Sequence, residues 1–252
     1  MAKAGQTRTG KRTPQYARPH HRTVARILDA LDAGLLLQCR CGFGGGTRIA
    51  LALAEYRESE DIDFLCSDLA GYRALRGAIS DRSLGAILSR PPAGIALLRD
   101  VRADQYGIRT VIGVDGAPVK FEIILEARIG IQPVTDQDFA VPVLDRRTCF
   151  AEKWLANADR WNDTAVLSRD AIDLAFMLQA WGGDEAREAR AGAVLATAAY
   201  GTAIRTAALG ACTKLRTGAP YRAQCAANLG ISDTKSLAAG LRKLEKLAGA
   251  LP

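Results

Sequence analysis

Two aspartates separated by one residue are the clearest chemical feature of the sequence. Asp61 and Asp63 lie in the segment Asp-Ile-Asp-Phe-Leu-Cys, in which polar and apolar residues alternate as they do along a β-strand. Alternation points both carboxylates to the same side, where two like charges repel unless a cation neutralises them. Because Mg²⁺ is commonly held by one or two carboxylates together with substrate phosphates, the pair predicts a metal site.

A glycine-rich turn precedes the two aspartates in the sequence. Gly45 and Gly46 allow the backbone to approach a ligand closely, and the free N–H groups of a following helix would favour a phosphate. Thr47 adds a hydroxyl donor, and Arg57 and Ser59 lie between the turn and the aspartates. We predict that these five residues bind phosphate groups, although the serine could instead cap a turn.

The order of these residues resembles the first motif of the nucleotidyltransferase superfamily related to DNA polymerase β, which is Gly-Gly-Thr followed by Arg-x-Ser-x-Asp-x-Asp. A later stretch runs from Lys153 to Arg160 and continues as Ser-Arg-Asp-Ala-Ile-Asp-Leu over residues 168–174. It resembles the lysine motif and the Arg-Asp-x-x-Asp-Leu motif of the AbiEii/AbiGii toxin family. These toxins are the nucleotidyltransferases of type IV toxin–antitoxin and phage-defence systems, similar to the MenT toxins. The resemblance spans roughly residues 22–180.

The resemblance implies transfer of a nucleoside monophosphate from an NTP to an acceptor hydroxyl, with Mg²⁺ or Mn²⁺ as cofactor. It implies that Asp61 and Asp63 bind the metal and act in catalysis. Lys153 would contact the triphosphate, for which a compact ammonium is well suited.

A further catalytic acid is expected from the second motif. We favour Asp170 over Asp173 because Asp170 directly follows Arg169. Arg160 is seven residues after Lys153 and should share its helix face. Each of these cations could instead be an ordinary residue of a helix surface.

Many relatives place a third metal carboxylate, commonly an aspartate, on a neighbouring strand. Here the run Val-Lys-Phe-Glu-Ile-Ile over residues 119–124 offers Glu122 on its polar face. The longer glutamate arm would hold a metal more loosely, and Glu126 shares the same face. Glu122 is our prediction, with Glu126 as the alternative.

The charge of the chain favours a polyanionic partner. The formal net charge is +7 over 252 residues, and residues 1–22 contain no acid. This segment could be a flexible nucleic-acid-binding arm or a solvated tail. Its basic residues and histidines are Lys3, Arg8, Lys11, Arg12, Arg18, His20, His21 and Arg22.

Together with the family resemblance, this charge favours an RNA acceptor, above all the 3′ end of tRNA, whose modification would inhibit translation. The family also implies a cognate antitoxin as a partner. One alternative is a small-molecule acceptor, as in antibiotic-modifying nucleotidyltransferases. Another is a catalytically idle module that binds nucleic acid or a partner protein.

Hydrophobic periodicity predicts an α/β region after the arm. Asp115-Gly116 is a strong hairpin signal between its last two strands. The predicted elements are a helix at about 22–33 ended by Gly34, an extended run from Leu35 to Leu37, a helix at 47–56, a strand at 61–66, a helix at 68–79, and strands near 95–103, 107–114 and 118–126.

Beyond Pro142 the pattern becomes helical, with helices predicted at 146–159, 167–181 and 184–208 and two or three more after Pro220. This change predicts an α+β fold in which a mixed-sheet nucleotidyltransferase domain precedes a helical domain. The predicted parts are an arm at 1–21, the sheet domain at 22–145 and the helical domain at 146–252. The basic C-terminal helices resemble a helix-turn-helix unit, for which packing is favoured over nucleic-acid contact.

The composition excludes several classes of protein. A hydrophobic content of 48% is too high for a wholly disordered chain. The six cysteines lack the paired C-x-x-C spacing of a structural zinc site, so we expect reduced, mostly buried thiols. There is no uninterrupted run of 18 apolar residues and no apolar segment of signal-peptide type at the N-terminus. We therefore expect a cytoplasmic protein without membrane contact.

Overall fold

The chain folds as a mixed β-sheet with helices packed against it, followed by a wholly helical part. In this computed structural model the described residues are 16–88, 91–181 and 185–252. The first part contains α1 (Pro19–Ala30), α2 (Ala33–Gln38), β1 (Cys41–Gly44), α3 (Gly45–Ala52), β2 (Ile62–Cys66), α4 (Leu69–Gly77), a 3₁₀ helix (Gly85–Leu88), β3 (Ile95–Leu97), β4 (Arg102–Ala103), β5 (Gly107–Val114) and β6 (Ala117–Leu125).

Within the described residues, six strands form one sheet in the order β1, β2, β6, β5, β3, and β4 also pairs with β5. β2 and β6 run parallel, whereas the other neighbours are antiparallel. One row of directly paired residues crosses five strands, with one residue from each strand. Its residues, in order from β1 to β4, are Gly44, Asp63, Glu122, Arg109 and Arg102.

The two faces of β2 meet different cores. Ile62 and Phe64 are fully buried in the cluster that includes Val24 and Ile27 of α1. Leu65 belongs instead to the cluster formed by the helical part. Because side chains alternate along a strand, Asp63 lies on the same side as Leu65, which is the side of the helical part.

The helical part begins at the residue after Asp145, whose side chain accepts a hydrogen bond from Thr148 N–H and caps the first helix. The predicted domain boundary near residue 145 coincides with this helix start, and the division into domains stays a prediction. The part contains α5 (Arg146–Arg160), a 3₁₀ helix (Thr164–Val166), α6 (Arg169–Ala180), α7 (Glu185–Tyr200), α8 (Ala203–Thr217), α9 (Ala219–Asn228) and α10 (Thr234–Gly249).

Three predicted elements are wrong in detail. The run from Leu35 to Leu37, predicted as extended, lies in α2, because Asp32 accepts a hydrogen bond from Leu35 N–H and starts a helix. The strand at 95–103 is two strands, since Val101 N–H bonds to Asp81 rather than to the sheet. The helix at 184–208 is divided at Gly201, whose φ of +61° ends α7.

The last residues of the predicted flexible arm are folded. Residues 1–15 lie outside the described residues, but residues 16–21 are folded. α1 begins at Pro19, where a proline is favourable in the first turn, and His21 is fully buried. Arg18, predicted as part of the arm, bonds to Glu55, Glu58 and Gly230.

The cysteines and the C-terminal helices agree with the sequence-based expectations. All six cysteines are free and buried. Among the described residues, no helix has the length and apolar character needed to cross a membrane. α9 and α10 form the expected helix, turn and helix, and α10 buries Leu237, Leu241 and Leu244 against the helical core.

Candidate active site

The turn between β1 and α3 brings bare backbone next to charged side chains. Gly45 has a φ of +67°, which glycine adopts without strain. A Cβ atom on Gly45 would lie 2.4 Å from Asp63 Oδ2. One on Gly46 would lie 2.2 Å from Arg57 Nη2. The backbone conformation therefore favours glycine at position 45, and a side chain at position 46 would have to displace the Arg57 guanidinium.

The start of α3 is open to a ligand. Gly44 precedes the helix and has no side chain to cap the first N–H groups. Free N–H groups and the positive end of the helix dipole favour an anion such as phosphate. Gly45 and Gly46 line a cavity of about 550 Å³, so the space for such an anion exists.

Asp61 and Asp63 line the same cavity. Burial, and then the negative charges of Asp61 and Glu122, raise the pKa of Asp63 to about 6. Lys153 and Lys120 act in the opposite direction but do not cancel this effect. The carboxylates thus hold more negative charge than the protein compensates, as expected at a cation-binding position.

Glu122 lies beside Asp63 in the sheet, because the two residues are directly paired between β6 and β2. Its carboxylate is 2.8 Å from Lys120 Nζ and 3.3 Å from Arg109 Nε. Glu122 is therefore placed where a third carboxylate was predicted, but in this structure it is bound by two cations.

Glu126, the alternative third carboxylate, is engaged elsewhere. It is only 3% exposed, and its carboxylate lies 2.6 Å from Arg128 Nη2. It also accepts a hydrogen bond from Arg128 N–H. Of the two glutamates, Glu122 is the one adjacent to Asp63.

The side chains fit a divalent cation that is held jointly with a substrate. Across residues 16–88, 91–181 and 185–252, no group of three or more His, Cys, Asp or Glu side chains is arranged to hold a metal ion by itself. Asp61 and Asp63 nevertheless offer two hard carboxylates in the cavity that the Gly45-Gly46 turn also lines. Protein sites for Mg²⁺ often use that number, with phosphates and water completing the shell.

Thr47 orients the first aspartate. Its side chain is buried, and its hydroxyl donates a hydrogen bond to the carbonyl oxygen of Asp61. Thr47 Oγ1 is also 2.8 Å from Ser59 Oγ. The hydroxyl predicted to donate to a phosphate is thus already used within the protein, whereas Ser59 is half-buried at the cavity wall.

Lys153 borders the cavity but is paired with two acids. Its Nζ lies 2.9 Å from Asp170 Oδ1 and 2.8 Å from Asp173 Oδ2. Burial acts to lower the pKa of Lys153, but the two carboxylates outweigh it and raise the pKa. The lysine is therefore charged and compensates buried acids, and its predicted contact with a triphosphate stays a prediction.

Asp173, which we ranked below Asp170, lies at the centre of a cluster of buried charged side chains. Both of its oxygens bind Arg57, at 2.6 Å and 2.9 Å, and it accepts a hydrogen bond from Tyr56. Burial acts to raise the pKa of Asp173, but Arg57 and Lys153 outweigh it and lower the pKa. The spacing Asp-x-x-Asp on one helix contained this signal, since residues three apart share a face.

Asp170 joins the same buried cluster. Arg160 binds both of its oxygens, at 2.7 Å and 2.9 Å, and shares the face of Lys153 as predicted. Arg169 also lines the cavity. The cluster contains three cations, Arg57, Lys153 and Arg160, and two carboxylates, so one positive charge is in excess beside the cavity.

A histidine that the sequence analysis did not single out holds the loop before β2. His21 Nδ1 is 2.7 Å from Glu55 Oε1, and His21 Nε2 accepts a hydrogen bond from Ser59 N–H at 3.3 Å. Burial lowers the pKa of His21, although Glu55 acts to raise it. The neutral imidazole thereby anchors the backbone of Ser59. Its spacing within α1 gave no sign of this role.

Acidic residues of α5 also line the cavity. Burial, and then the charge of Glu126, raise the pKa of Glu152 to about 8. Glu152 and Asp159 on α5 line the cavity together with Arg128. These residues come from segments distant in sequence, so no local pattern could group them.

Comparison with known families decides the relationship of the chain. A family model described as nucleotidyl transferase AbiEii toxin, type IV TA system, matches residues 26–229. The chain belongs to the AbiEii family. The match includes every residue predicted for the AbiEii active site, from Gly45 to Asp170. The resemblance on which the sequence analysis relied is confirmed.

Two solved structures from Helicobacter pylori are similar to this AbiEii chain. One, provisionally assigned as a nucleotidyltransferase, has 15% sequence identity and a TM-score of 0.52, and the match covers 92% of this chain and 96% of that one. The other, JHP933, has 14% identity, a TM-score of 0.48 and coverage of 91% and 92%. The first match supports the predicted nucleotidyltransferase fold. No curated protein matches the sequence.

Proposed function

We propose that this AbiEii protein transfers a nucleoside monophosphate from an NTP to a terminal hydroxyl of RNA, above all the 3′ end of tRNA. The observation that carries the proposal is the placement of Asp61 and Asp63 beside the Gly45-Gly46 turn in one cavity. A carboxylate pair next to an anion-binding helix start suits a metal-bound triphosphate.

In this proposal, different residues bind the phosphates and the metal. Backbone N–H groups of Gly45 and Gly46 bind the triphosphate, with the Ser59 hydroxyl at the same wall. Asp61 and Asp63 hold Mg²⁺, or Mn²⁺ in its place, with Glu122 on the adjacent strand as the further carboxylate. The bound metal supplies positive charge that stabilises the attacking and leaving oxygens.

In the reaction, the RNA hydroxyl oxygen forms a bond to the α-phosphorus of the NTP. The bond between that phosphorus and the oxygen leading to the β-phosphate breaks, and pyrophosphate leaves. The hydroxyl proton passes to solvent. Catalysis of this kind depends on positioning and charge neutralisation, for which Arg57 and Lys153 provide a fixed positive environment.

RNA is proposed as the acceptor because of charge and family. The formal net charge of +7 favours a polyanion, and the basic arm adds cations that could reach one. A toxin of a type IV system must inhibit growth, and modification of the tRNA 3′ end would stop translation in the cytoplasm. The AbiEii family also implies a cognate antitoxin as a partner.

The proposal is tested by incubating the purified protein with Mg²⁺, total RNA and one labelled NTP at a time. We expect label to enter a tRNA-sized band with at least one NTP. The Asp61→Asn variant is the control and should leave the RNA unlabelled. Absence of label from RNA with all four NTPs would contradict RNA as the acceptor and favour a small-molecule substrate.

A further inference from the structure

A second cavity adjoins the active-site cavity on the same side of the sheet. It has a volume of about 610 Å³ and is lined by residues of β4, β5 and β6 and by the segment between β3 and β4. Lys120 and Glu122 border both cavities. The two cavities are therefore parts of one continuous surface.

We call the second cavity the basic groove because cations dominate its charge. Its charged lining residues are Arg99, Asp100, Arg102, Arg109, Lys120 and Glu122, which are four cations and two acids. Arg109 and Lys120 bind Glu122. Arg99 and Arg102 are exposed, and within the described part of the chain neither side chain forms an ion pair.

The register of the sheet connects the groove to the active site. Asp63 pairs with Glu122, Glu122 with Arg109, and Arg109 with Arg102. Three strand spacings of about 4.8 Å give roughly 14 Å along this row. A row of side chains thus runs from Asp63 to Arg102 on β4, and Arg99 lies in the segment just before that strand.

We propose that the basic groove holds the phosphodiester backbone of the RNA strand whose terminal hydroxyl reaches Asp61 and Asp63. This inference rests on the proposed function and adds the path of the acceptor. Arginines spaced along a groove suit successive phosphates, and such contacts set the position of a strand without reading its sequence. An acidic protein segment would also be attracted, but continuity with the reaction site favours a substrate.

The test uses the double variant Arg99→Ala/Arg102→Ala. Both side chains are exposed, lie outside the active-site cavity and can be shortened without opening the core. The matched control is Arg73→Ala/Arg76→Ala on α4, which removes the same charge from exposed positions that line neither cavity. Both variants should unfold at the wild-type temperature.

The probe is single-stranded oligouridine, and the measurement is log affinity against log salt concentration. We expect the groove variant to bind more weakly, with a slope shallower by about 1.4, because each phosphate contact on a single strand contributes about 0.7. The control should keep the wild-type slope. A wild-type slope in the groove variant, or an equal change in the control, would overturn the inference.

Kinetic measurements distinguish a failure of the groove proposal from a failure of the proposed function. If the wild type labels RNA, the groove variant should raise KM for RNA and leave KM for the NTP unchanged. Labelling of RNA by the groove variant with an unchanged KM for RNA would contradict the role of the basic groove but not the proposed function. If the wild type labels no RNA, the proposed function fails, and oligouridine binding still decides whether the groove holds a nucleic-acid strand.

Discussion

Lys153 Nζ lies 2.8 Å from Asp173 Oδ2, and the two side chains are only 7% and 0% exposed. The same carboxylate binds the guanidinium of Arg57, which lies against the Gly46 backbone. Asp173 therefore links α5, α6 and the loop between α3 and β2, whose Arg57 lies against the turn at Gly46. Because buried charges depend on one another for compensation, this cluster should control both stability and the shape of the site.

Replacing Asp173 by asparagine should destabilise the folded protein strongly. Asp173→Asn leaves Arg57 and Lys153 with one carboxylate fewer, and removing one partner of a buried pair typically costs about 3–5 kcal/mol. Urea unfolding at neutral pH measures this loss. The control is Glu245→Gln, which breaks an exposed pair with Arg216 and should cost less than about 1 kcal/mol. Equal, small losses in both variants would contradict the role of Asp173.

The role of Lys153 can be determined by measuring both the stability and the kinetics of its variants. Lys153→Ala should lower the midpoint of thermal unfolding, because Asp170 and Asp173 lose a shared cation. It should also lower kcat if the lysine fixes the site, or raise KM for the NTP if it binds the triphosphate. Lys153→Arg should keep part of both properties. Wild-type stability and kinetics in Lys153→Ala would exclude both roles.

The contribution of His21 to stability should fall on mild acidification. Burial lowers its folded-state pKa below the unfolded value near 6.5, so the unfolded chain binds the proton more readily. This contribution should therefore be fully present above about pH 6.5 and decrease as the pH falls through the folded-state pKa, by at most about 1.4 kcal/mol per pH unit. The protonated ring would also bring a second N–H against Ser59 N–H.

The measurement for His21 is the free energy of unfolding between about pH 7.5 and 5.5, a range around the unfolded pKa, for the wild type, His21→Gln and His20→Gln. The chain has only two histidines, so the pair is a matched comparison. As the pH falls, His21→Gln should lose less stability than the wild type, because the contribution of His21 is removed, whereas His20→Gln should follow the wild type. The same slope in all three proteins would mean that the buried ring is not responsible.

Two N-terminal deletions distinguish the contribution of the arm to RNA binding from the contribution of the following residues to stability. Removing residues 1–15 should make the slope of log RNA affinity against log salt concentration shallower by about 0.7 for each phosphate that the arm neutralises. The stability of the protein should not change. Removing residues 1–20 should also destabilise the protein, because Ala17 N–H and Arg18 N–H bond to Glu55. An unchanged salt slope after the shorter deletion would show that the arm is a solvated tail.

Local patterns were sufficient for much of the fold. Alternation at residues 61–66 gave β2 with Asp63 facing away from Ile62, and the Asp115-Gly116 turn correctly joined β5 and β6. The change to helices near residue 145 was also visible, because periods of two and of 3.6 residues differ clearly.

Pairings between distant segments could not be read from these patterns. The parallel alignment of β2 with β6 places Glu122 beside Asp63, and nothing local to either strand specifies that register. The second motif could not show that Asp173 binds Arg57, which is 116 residues away in sequence, and the choice of Asp170 as the catalytic acid stays a prediction. α2 was missed because a single capping side chain, Asp32, outweighed an apparently extended run.

Asp61 and Asp63 are the residues that we propose form a metal-dependent site for nucleotidyl transfer. Asp63→Asn should also keep or raise the thermal stability of the metal-free protein, since it removes a repelled, buried charge. A folded but inactive variant would therefore separate catalysis from stability.

The most direct measurement is transfer of labelled NMP to RNA by the wild type, Asp61→Asn and Asp63→Asn, each with Mg²⁺ and with EDTA. The expected result is labelling by the wild type with Mg²⁺ only, and its loss in both folded variants, because neutral amides bind the metal weakly. Labelling by either variant at the wild-type rate, or by the wild type in EDTA, would contradict the claim.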